Sequence, residues 1–221
     1  MKVIISGYGK MGHMVEEVLS RRGIELVDAC EDICSVDPAI AGECVCIDFT
    51  TPDAFRTNYK TLAKNFKAVV VGTTGWADIK QEVFDAFKSN DTTMIWASNF
   101  SIGVNVFFAA VEKASQKLSG HGYQPYIEEK HHIHKLDAPS GTAVSLADIV
   151  EKGLGERPEI ASVRCGEIAG IHTVDFEGPA DRITLTHEAF SRKGFAEGAV
   201  EAAVMTEDLK GVYEFKDLIL R

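Results

Sequence analysis

The chain has 221 residues, 45% of them hydrophobic and 25% charged, with 33 acidic and 23 basic side chains and a formal net charge of −10. That composition belongs to a globular protein with one large domain or two small ones, and excludes a disordered tail, a fibrous repeat and a membrane bundle. The acidic balance speaks against a nucleic-acid partner, no apolar run approaches the ~18 residues of a spanning helix, and Met1-Lys2-Val3-Ile4-Ile5 turns into glycine too soon for a secretory signal.

In chain order, residues 2–6 read as a short apolar strand and 10–22 as a helix, with Met11, Met14, Val15 and Val18 near helical spacing. A second strand spans 24–29, and a third covers 44–49 after a loop with Pro38 and Gly42. Thr51 caps the next helix, with Pro52 at its first position. Residues 68–71 read as a buried strand, 79–87 as a helix and 92–96 as a fifth strand. Strands alternating with helices give a parallel sheet covered on both faces. The second half reads differently: helix 103–118, strand 123–129, helix 141–152, then strand patterns over 162–167, 172–177 and 182–188. In the last, Ile183 and Leu185 face one way and Arg182, Thr184 and Thr186 the other, as in a sheet packed on one side. A final helix covers 195–209. The expected class is α/β: an N-terminal Rossmann-like domain, then an α+β domain with a mixed or antiparallel sheet. The five cysteines, Cys30, Cys34, Cys44, Cys46 and Cys165, are odd in number and lack C-x-x-C spacing. They read as reduced thiols of a cytoplasmic protein, Cys44 and Cys46 sharing one face of a strand.

Gly7-Tyr8-Gly9-Lys10-Met11-Gly12 is a G-x-G-x-x-G motif between a strand and a helix. There Gly7 allows the tight turn, Gly9 lets the backbone approach a pyrophosphate, and Gly12 lets helix and strand pack closely. The helix N-terminus and Lys10 attract phosphate charge. An acid at the end of the second strand holds an adenosine ribose, and Glu31 or Asp32 stands at that place. Two acids and no arginine would repel a 2′-phosphate, so NADH is favoured over NADPH. Gly72-Thr73-Thr74-Gly75 and Ala97-Ser98-Asn99-Phe100 follow the fourth and fifth strands, where open α/β sheets bind ligands, and are expected to line the nicotinamide side.

The densest cluster runs from Glu129 to Thr142. Three histidines and two lysines fall between Lys130 and Lys135 of an acidic chain, an arrangement that calls for an anionic ligand. Ser140 is placed to cap a helix whose Gly141 and Thr142 amides would face a carboxylate. His131, His132 and His134 could instead be metal ligands, or the loop merely solvated. A catalytic acid and anion-binding loop accounts for more of the residues.

Glu129, His131, His132, Lys135, Asp137, Ala138, Pro139, Ser140, Gly141, Thr142 and Ala143 match the pattern E-x-H-H-x-x-K-x-D-A-P-S-G-T-A. The stretch closely resembles the signature loop of the dihydrodipicolinate (4-hydroxy-tetrahydrodipicolinate) reductase family. The glycine motif, Gly72-Thr73-Thr74-Gly75 and Ala97-Ser98-Asn99-Phe100 are similar to that family's cofactor segments, in the same order. Gly170, His172, Thr173, Thr186, His187, Ser191 and Arg192 resemble its later strands, and Phe195, Ala196, Gly198 and Ala199 its last helix. The resemblance covers nearly the whole chain.

It implies an NADH- or NADPH-dependent reduction of a small anionic cyclic dicarboxylate, 4-hydroxy-tetrahydrodipicolinate, to tetrahydrodipicolinate in lysine and diaminopimelate biosynthesis. His131 is then a proton donor or acceptor, Lys135 the proton donor, and His132, Gly141 and Thr142 bind substrate. Asp137 is expected to orient the loop by hydrogen bonding. The cofactor residues it implies are Gly7, Tyr8, Gly9, Lys10, Met11, Gly12, Glu31, Gly72, Thr73, Thr74, Ala97, Ser98, Asn99 and Phe100. It further implies a homotetramer built through the second domain's sheet; the reduced thiols place the chain in the cytoplasm, and with no cysteine or H-E-x-x-H frame beside the histidines no metal is expected. The last helix is expected to return to the cofactor domain, so that residues 1–101 with 193–221 bind the dinucleotide and 102–192 bind substrate and oligomerise. The chain is shorter than many members between Glu31 and Cys44, leaving room for one strand–helix unit fewer, and Asp32 stands where several members have arginine. Another Rossmann-type amino-acid dehydrogenase would share the glycine loop but has no reason to carry His131-His132-x-x-Lys135. A non-catalytic dinucleotide sensor would need a partner surface.

Overall fold

The computed structural model describes residues 1–220. In chain order its elements begin with β1 (Lys2–Ser6), α1 (Lys10–Arg21), β2 (Glu25–Cys30), the one-turn α2 (Pro38–Ala41), β3 (Cys44–Asp48) and α3 (Pro52–Asn65). β4 (Ala68–Val71), α4 (Lys80–Ser89), β5 (Thr93–Trp96), α5 (Ile102–Leu118), β6 (Gln124–His131) and α6 (Gly141–Leu154) follow. The last are β7 (Glu159–Arg164), β8 (Gly170–Glu177), β9 (Arg182–Ala189), α7 (Lys193–Met205), β10 (Val212–Glu214) and α8 (Phe215–Ile219). They divide into two units: Met1–Ile102 with the chain from Lys193 onward, and Gly103–Arg192.

In the first unit β3 and β4 are buried at every position, as strands covered on both faces must be. The Rossmann-like sheet has six strands in the order β10-β5-β4-β3-β1-β2, all pairs parallel. Alternation sends Val3, Ile5, Val45 and Ile47 to one face, where α1 and α7 supply Val15, Leu19, Ala199 and Val200. It sends Ile4, Cys44 and Cys46 to the other, against Phe55 and Leu62 of α3 and Phe87 of α4. Cys44 and Cys46 therefore share a face, as their spacing suggests. Thr51 caps α3 through Oγ1, which accepts from the Ala54 N–H at 3.2 Å, with Pro52 in the first turn.

Two features of this unit differ from the expectations, and a third, the short link between β2 and β3, agrees with them. β10 and α8 extend it beyond α7; a three-residue strand carries too little periodicity to be seen before its partner, β5, is known. α7 begins at Lys193 and ends at Met205 rather than covering 195–209. The link between β2 and β3 holds only a short turn of 3₁₀ helix and α2, and β2 is left as the edge strand. A doubly wound dinucleotide fold normally sets a further strand outside it. Exposed Glu25 and Asp28 put charge on that edge, which discourages pairing with another chain.

The second unit has a four-stranded sheet in the order β7-β6-β8-β9. β6 pairs antiparallel with β8, and β8 with β9, but β6 and β7 are parallel because α6 crosses over between them. The sheet is mixed, within the expected range. α5 and α6 cover one face, packing Phe107, Val111, Leu146 and Val150 against Ile127, Val174 and Phe176. Leu185 packs against this core too, while the other face carries Tyr126, Lys130, Thr173, Asp175, Thr184 and Thr186. β6 runs to His131, two residues beyond its expected end, and β7 starts at Glu159, three before its expected start. Hydrogen-bonded partners delimit a strand, and composition does not show them.

α7 lies close to its neighbours because its inner face is nearly all small: Ala196, Gly198, Ala199, Ala202 and Ala203 are buried. A Cβ at Gly198 would overlap the carbonyl oxygen of Phe100. Surface ion pairs also join α7 to α1, Arg22 to Glu201 at 2.7 Å and Lys193 to Glu17 at 2.6 Å. Such exposed pairs contribute at most about 1 kcal/mol each, so apolar contact holds the helix. Gly198→Val is expected to destabilise the fold by about 3 kcal/mol through overpacking. Thermal unfolding checks this; an unchanged midpoint would mean that α7 has room to spare at Phe100.

Candidate active site

The residues expected to act fall into two groups, one in each unit. In the first unit they gather at the carboxyl ends of the parallel strands. Main-chain bonds continue the sheet into these loops: Gly7 N–H to Cys30 O at 2.9 Å, Phe49 N–H to Ser6 O at 2.9 Å, Gly72 N–H to Asp48 O at 2.8 Å, and Ala97 N–H to Val71 O at 3.2 Å. Gly7 has φ +88°, and a Cβ there would overlap the Phe49 carbonyl oxygen. A Cβ at Gly12 would stand 2.5 Å from the Gly7 oxygen, so the helix can approach the strand only with glycine there. Gly9 is different: a Cβ there would meet nothing within 4 Å. The protein itself gives no steric reason for glycine at position 9. The room above it, at the N-terminus of α1 and beside the point where β1 is flanked by β2 and β3, fits a pyrophosphate.

The other expected cofactor residues are used unequally. Lys10 is exposed at the first helical position. Tyr8 lies back along α1, its hydroxyl bonded to Glu16 and its ring edge-on to His13, while Met11 packs on the core. Glu31 is exposed directly after β2. Asp32 caps the next turn, its carboxylate accepting from the Cys34 N–H at 3.0 Å. Thr74 and Ser98 are exposed, but Thr73 and Ala97 are buried. The Thr73 hydroxyl is engaged inside the protein, donating to Asp48 and accepting from the Thr50 N–H. Phe100 is in the core, its ring 5.0 Å from that of Phe215. Asn99 Oδ1 accepts from the Ser101 N–H at 2.8 Å.

In the second unit the period of β6 puts Ile127, Glu129 and His131 on the buried face. Register supplies their neighbours: β8 sets His172 opposite Glu129, and β7 sets Arg164 opposite His131. Arg164 donates two bonds to the Glu129 carboxylate, at 2.8 and 3.0 Å. His131 Nδ1 bonds the same group, and the Ser140 N–H reaches it at 3.3 Å. Burial alone would raise the Glu129 pKa, but the bonds from Arg164, Ser162 and His131 outweigh it and hold it at about 2. Glu129 is therefore ionised and only accepts, so His131 Nδ1 carries its proton. Burial lowers the His131 pKa, against the pull of Glu129 and with help from the Lys135 and Arg164 charges. The ring is neutral at neutral pH, with the Nε2 lone pair free to accept. Gly170 leaves that edge of the ring clear, since a Cβ there would press on Nε2 at 3.0 Å.

The loop after β6 closes back on this network. Lys135 Nζ is 2.8 Å from Asp137 Oδ1, and Arg164 also donates to the Asp137 carbonyl at 2.6 Å. Ser140 caps α6, its Oγ accepting from the Ala143 N–H at 3.2 Å and lying 3.0 Å from His172 Nε2. Burial pushes the His172 pKa down to about 4, so the ring that meets the Ser140 hydroxyl is neutral at neutral pH. Gly141 and Thr142 occupy the first two positions of α6, whose N–H groups have no acceptor within the helix. His132 is half-buried, its Nδ1 without a partner among the described residues. Glu129, His131 and His172 bring ligand atoms within 4.8 Å of one another, but the Arg164 cation already bonds both Glu129 oxygens. His132 and His134 are not in that group.

Arg164 and His172 received no role from sequence reasoning, and Glu129 only a place in a motif. Alternation along β6 could have paired Glu129 with His131. Nothing in the sequence gives the register that adds the other two.

A family model described as dihydrodipicolinate reductase, N-terminus, matches residues 1–100, and one described as dihydrodipicolinate reductase, C-terminus, matches residues 103–219. The 4-hydroxy-tetrahydrodipicolinate reductase of Christiangramia forsetii is 40% identical over 233 residues, covering 99% of this chain and 98% of the relative. That of Ralstonia pickettii is 34% identical over 263 residues, covering 99% of each. Among solved structures, the dipicolinate-bound dihydrodipicolinate reductase from Paenisporosarcina sp. TG-14 matches with a TM-score of 0.81 at 23% identity over 98% of both chains, a likeness of fold. The chain belongs to the dihydrodipicolinate reductase family, NAD(P)H-dependent oxidoreductases of lysine and diaminopimelate biosynthesis.

Proposed function

We propose that His131 and Lys135 carry the proton chemistry of 4-hydroxy-tetrahydrodipicolinate reduction, and that Glu129, Arg164 and Ser140 position them. The observation that carries this reading is the buried Glu129 carboxylate, bonded at once to His131, to Arg164 and to the amide at the start of α6. The same carboxylate thus orients a proton-accepting ring and a helix N-terminus suited to an anion. Gly141 and Thr142 hold one substrate carboxylate there, and His132, with its unpartnered Nδ1, is a further polar group toward substrate. The Paenisporosarcina relative was solved with dipicolinate, a ring dicarboxylate of the same class.

NAD(P)H, when bound to the first unit, supplies the hydride. Electron density then builds on the conjugated ring, and the Lys135 ammonium, held by Asp137, quenches it by giving a proton from Nζ. The neutral His131 Nε2 is suited to accept a proton, as loss of water from the hydroxylated ring requires. In the first unit the loop from Gly7 to Gly12 takes the pyrophosphate, and Glu31 takes the adenosine ribose. Thr74 and Ser98 are exposed toward the nicotinamide side, whereas Thr73, Ala97 and Phe100 contribute backbone. The acids at positions 31 and 32 favour NADH over NADPH. The open face of the second unit's sheet, with Tyr126, Lys130, Thr184 and Thr186, is the assembly surface of a homotetramer. The location we propose is the cytoplasm, where Cys44 and Cys46 remain thiols.

Oxidation of NADH and of NADPH, followed by absorbance with freshly generated substrate, tests the reading. Turnover with both, faster with NADH, is expected; no turnover from a folded protein that binds NADH would sink it. Lys135→Ala and His131→Ala are each expected to lower kcat by ~100-fold or more while NADH affinity holds. Normal turnover in either would remove that residue from proton transfer.

Stability should also follow the His172 proton. Its pKa is about 4 in the fold against an ordinary 6.5, so the unfolded chain binds the proton first as pH falls. Stability is complete above pH ~6.5 and drops by about 3 kcal/mol by pH ~4. Glu129 adds a further loss from the ordinary carboxylate range down to about 2. Unfolding midpoints across this range should show a shallower slope for His172→Gln; parallel slopes would refute the buried neutral ring.

A further inference from the structure

We propose that Asp48 is a positioning residue of the cofactor site, one buried carboxylate that sets the loops leaving β1, β3 and β4. The proposal rests on the reading that these loops hold the dinucleotide. Asp48 ends β3 and has no exposure to solvent. Ser6 Oγ, at the end of β1, donates to its Oδ2 at 2.8 Å. Thr50 Oγ1 donates to Oδ1 at 3.1 Å, and Thr73 Oγ1, just beyond β4, donates to it at 2.5 Å. The Thr73 hydroxyl in turn accepts from the Thr50 N–H at 2.7 Å. All three loops are therefore tied to one side chain.

Among the described residues no cation pairs with Asp48. Burial raises its pKa, and the hydroxyls of Thr73, Ser6 and Thr50 pull it back. A buried carboxylate without a cation is an expensive way to fill space, and stability alone does not account for it. Its effect is on placement. Ser6 directly precedes Gly7, and the Phe49 carbonyl, one residue after Asp48, is what excludes a side chain at Gly7. The Phe49 ring fills the space that a Cβ at Gly72 would need. The turn toward the pyrophosphate, the loop after β3 and Gly72-Thr73 form one steric and polar unit. Asp48 cannot touch the cofactor; it acts through these loops.

The test uses full-length Asp48→Asn, with NADH affinity measured by fluorescence titration and KM measured for both substrates. The Kd and KM for NADH are expected to rise about tenfold, the loss of one well-made hydrogen bond to a charged group, while KM for the dicarboxylate stays within twofold. Should Asp48→Asn fail to fold, Ser6→Ala removes a single donor and is expected to weaken NADH binding about threefold. Unchanged NADH affinity in the folded variant overturns the proposal, as does an equal rise in both KM values, which would indicate general loosening. Gly12→Val separates this proposal from the reading beneath it. If Gly12→Val loses NADH affinity and Asp48→Asn does not, the Asp48 proposal falls alone. If neither loses it, the assignment of these loops to the dinucleotide falls as well.

Discussion

A carboxylate withdrawn from water has to be met by donors, and its charge has to be balanced nearby. Glu129 satisfies both demands through residues that only a sheet can assemble. Two bonds come from Arg164 on the parallel neighbour β7, one from His131 two residues along the same strand, and one from the Ser140 amide across the loop. Burial pushes the Glu129 pKa up, and the bonds from Arg164 are the largest pull in the other direction. The ionised carboxylate only accepts, and so holds His131 with its proton on Nδ1. Breaking such a buried pair by removing one partner typically costs about 3–5 kcal/mol, so the arrangement is held by the fold as a whole. The loop carrying Lys135, the cap of α6 and the orientation of His131 all hang on this one ion pair.

The first unit has its own buried carboxylate, and the contrast is informative. Glu129 has a guanidinium and sits far below the ordinary range; Asp48 has only hydroxyls and is raised. Asp48 ends its strand, and Glu129 lies two residues before the end of β6. One environment fixes a charge beside the His131 ring. The other ties loops together near a helix N-terminus, where an additional exposed anion would repel a phosphate. In both, the carboxylate is shielded from solvent and acts through the groups that it bonds.

The link between β2 and β3 shows which parts of a dinucleotide fold can be dropped. β2 has no outer neighbour, yet β1 is still flanked by β2 on one side and β3 on the other. That flanking creates the crevice at the strand ends. The glycine loop draws on β1, the end of β2 and the Phe49 carbonyl, and none of these depends on a further strand. The shortened segment leaves Glu31 at the end of β2 and turns Asp32 into a cap for the chain's exit.

The elements with strong local signals were legible in the sequence. Alternation of apolar strands with helices, the Thr51–Pro52 start of α3, the Ser140 cap and the glycine loop all depend on neighbours close in the chain. The family could be read as well, because the signature from Glu129 to Ala143 is contiguous. What escaped was set by partners distant in sequence: the end of β6 at His131, the early start of β7, and β10, which is a strand only because β5 lies beside it. The same holds for the site. Sequence named His131 and Lys135, but Arg164 and His172 join them only through the register of β7 and β8, and Thr73 turned from an expected ligand-facing hydroxyl into an internal bond to Asp48. By itself the sequence determined which chemistry-bearing residues the chain carries and the local turns that present them. The tertiary structure decided which of them meet and in what protonation state, because pairing register and burial depend on the whole chain.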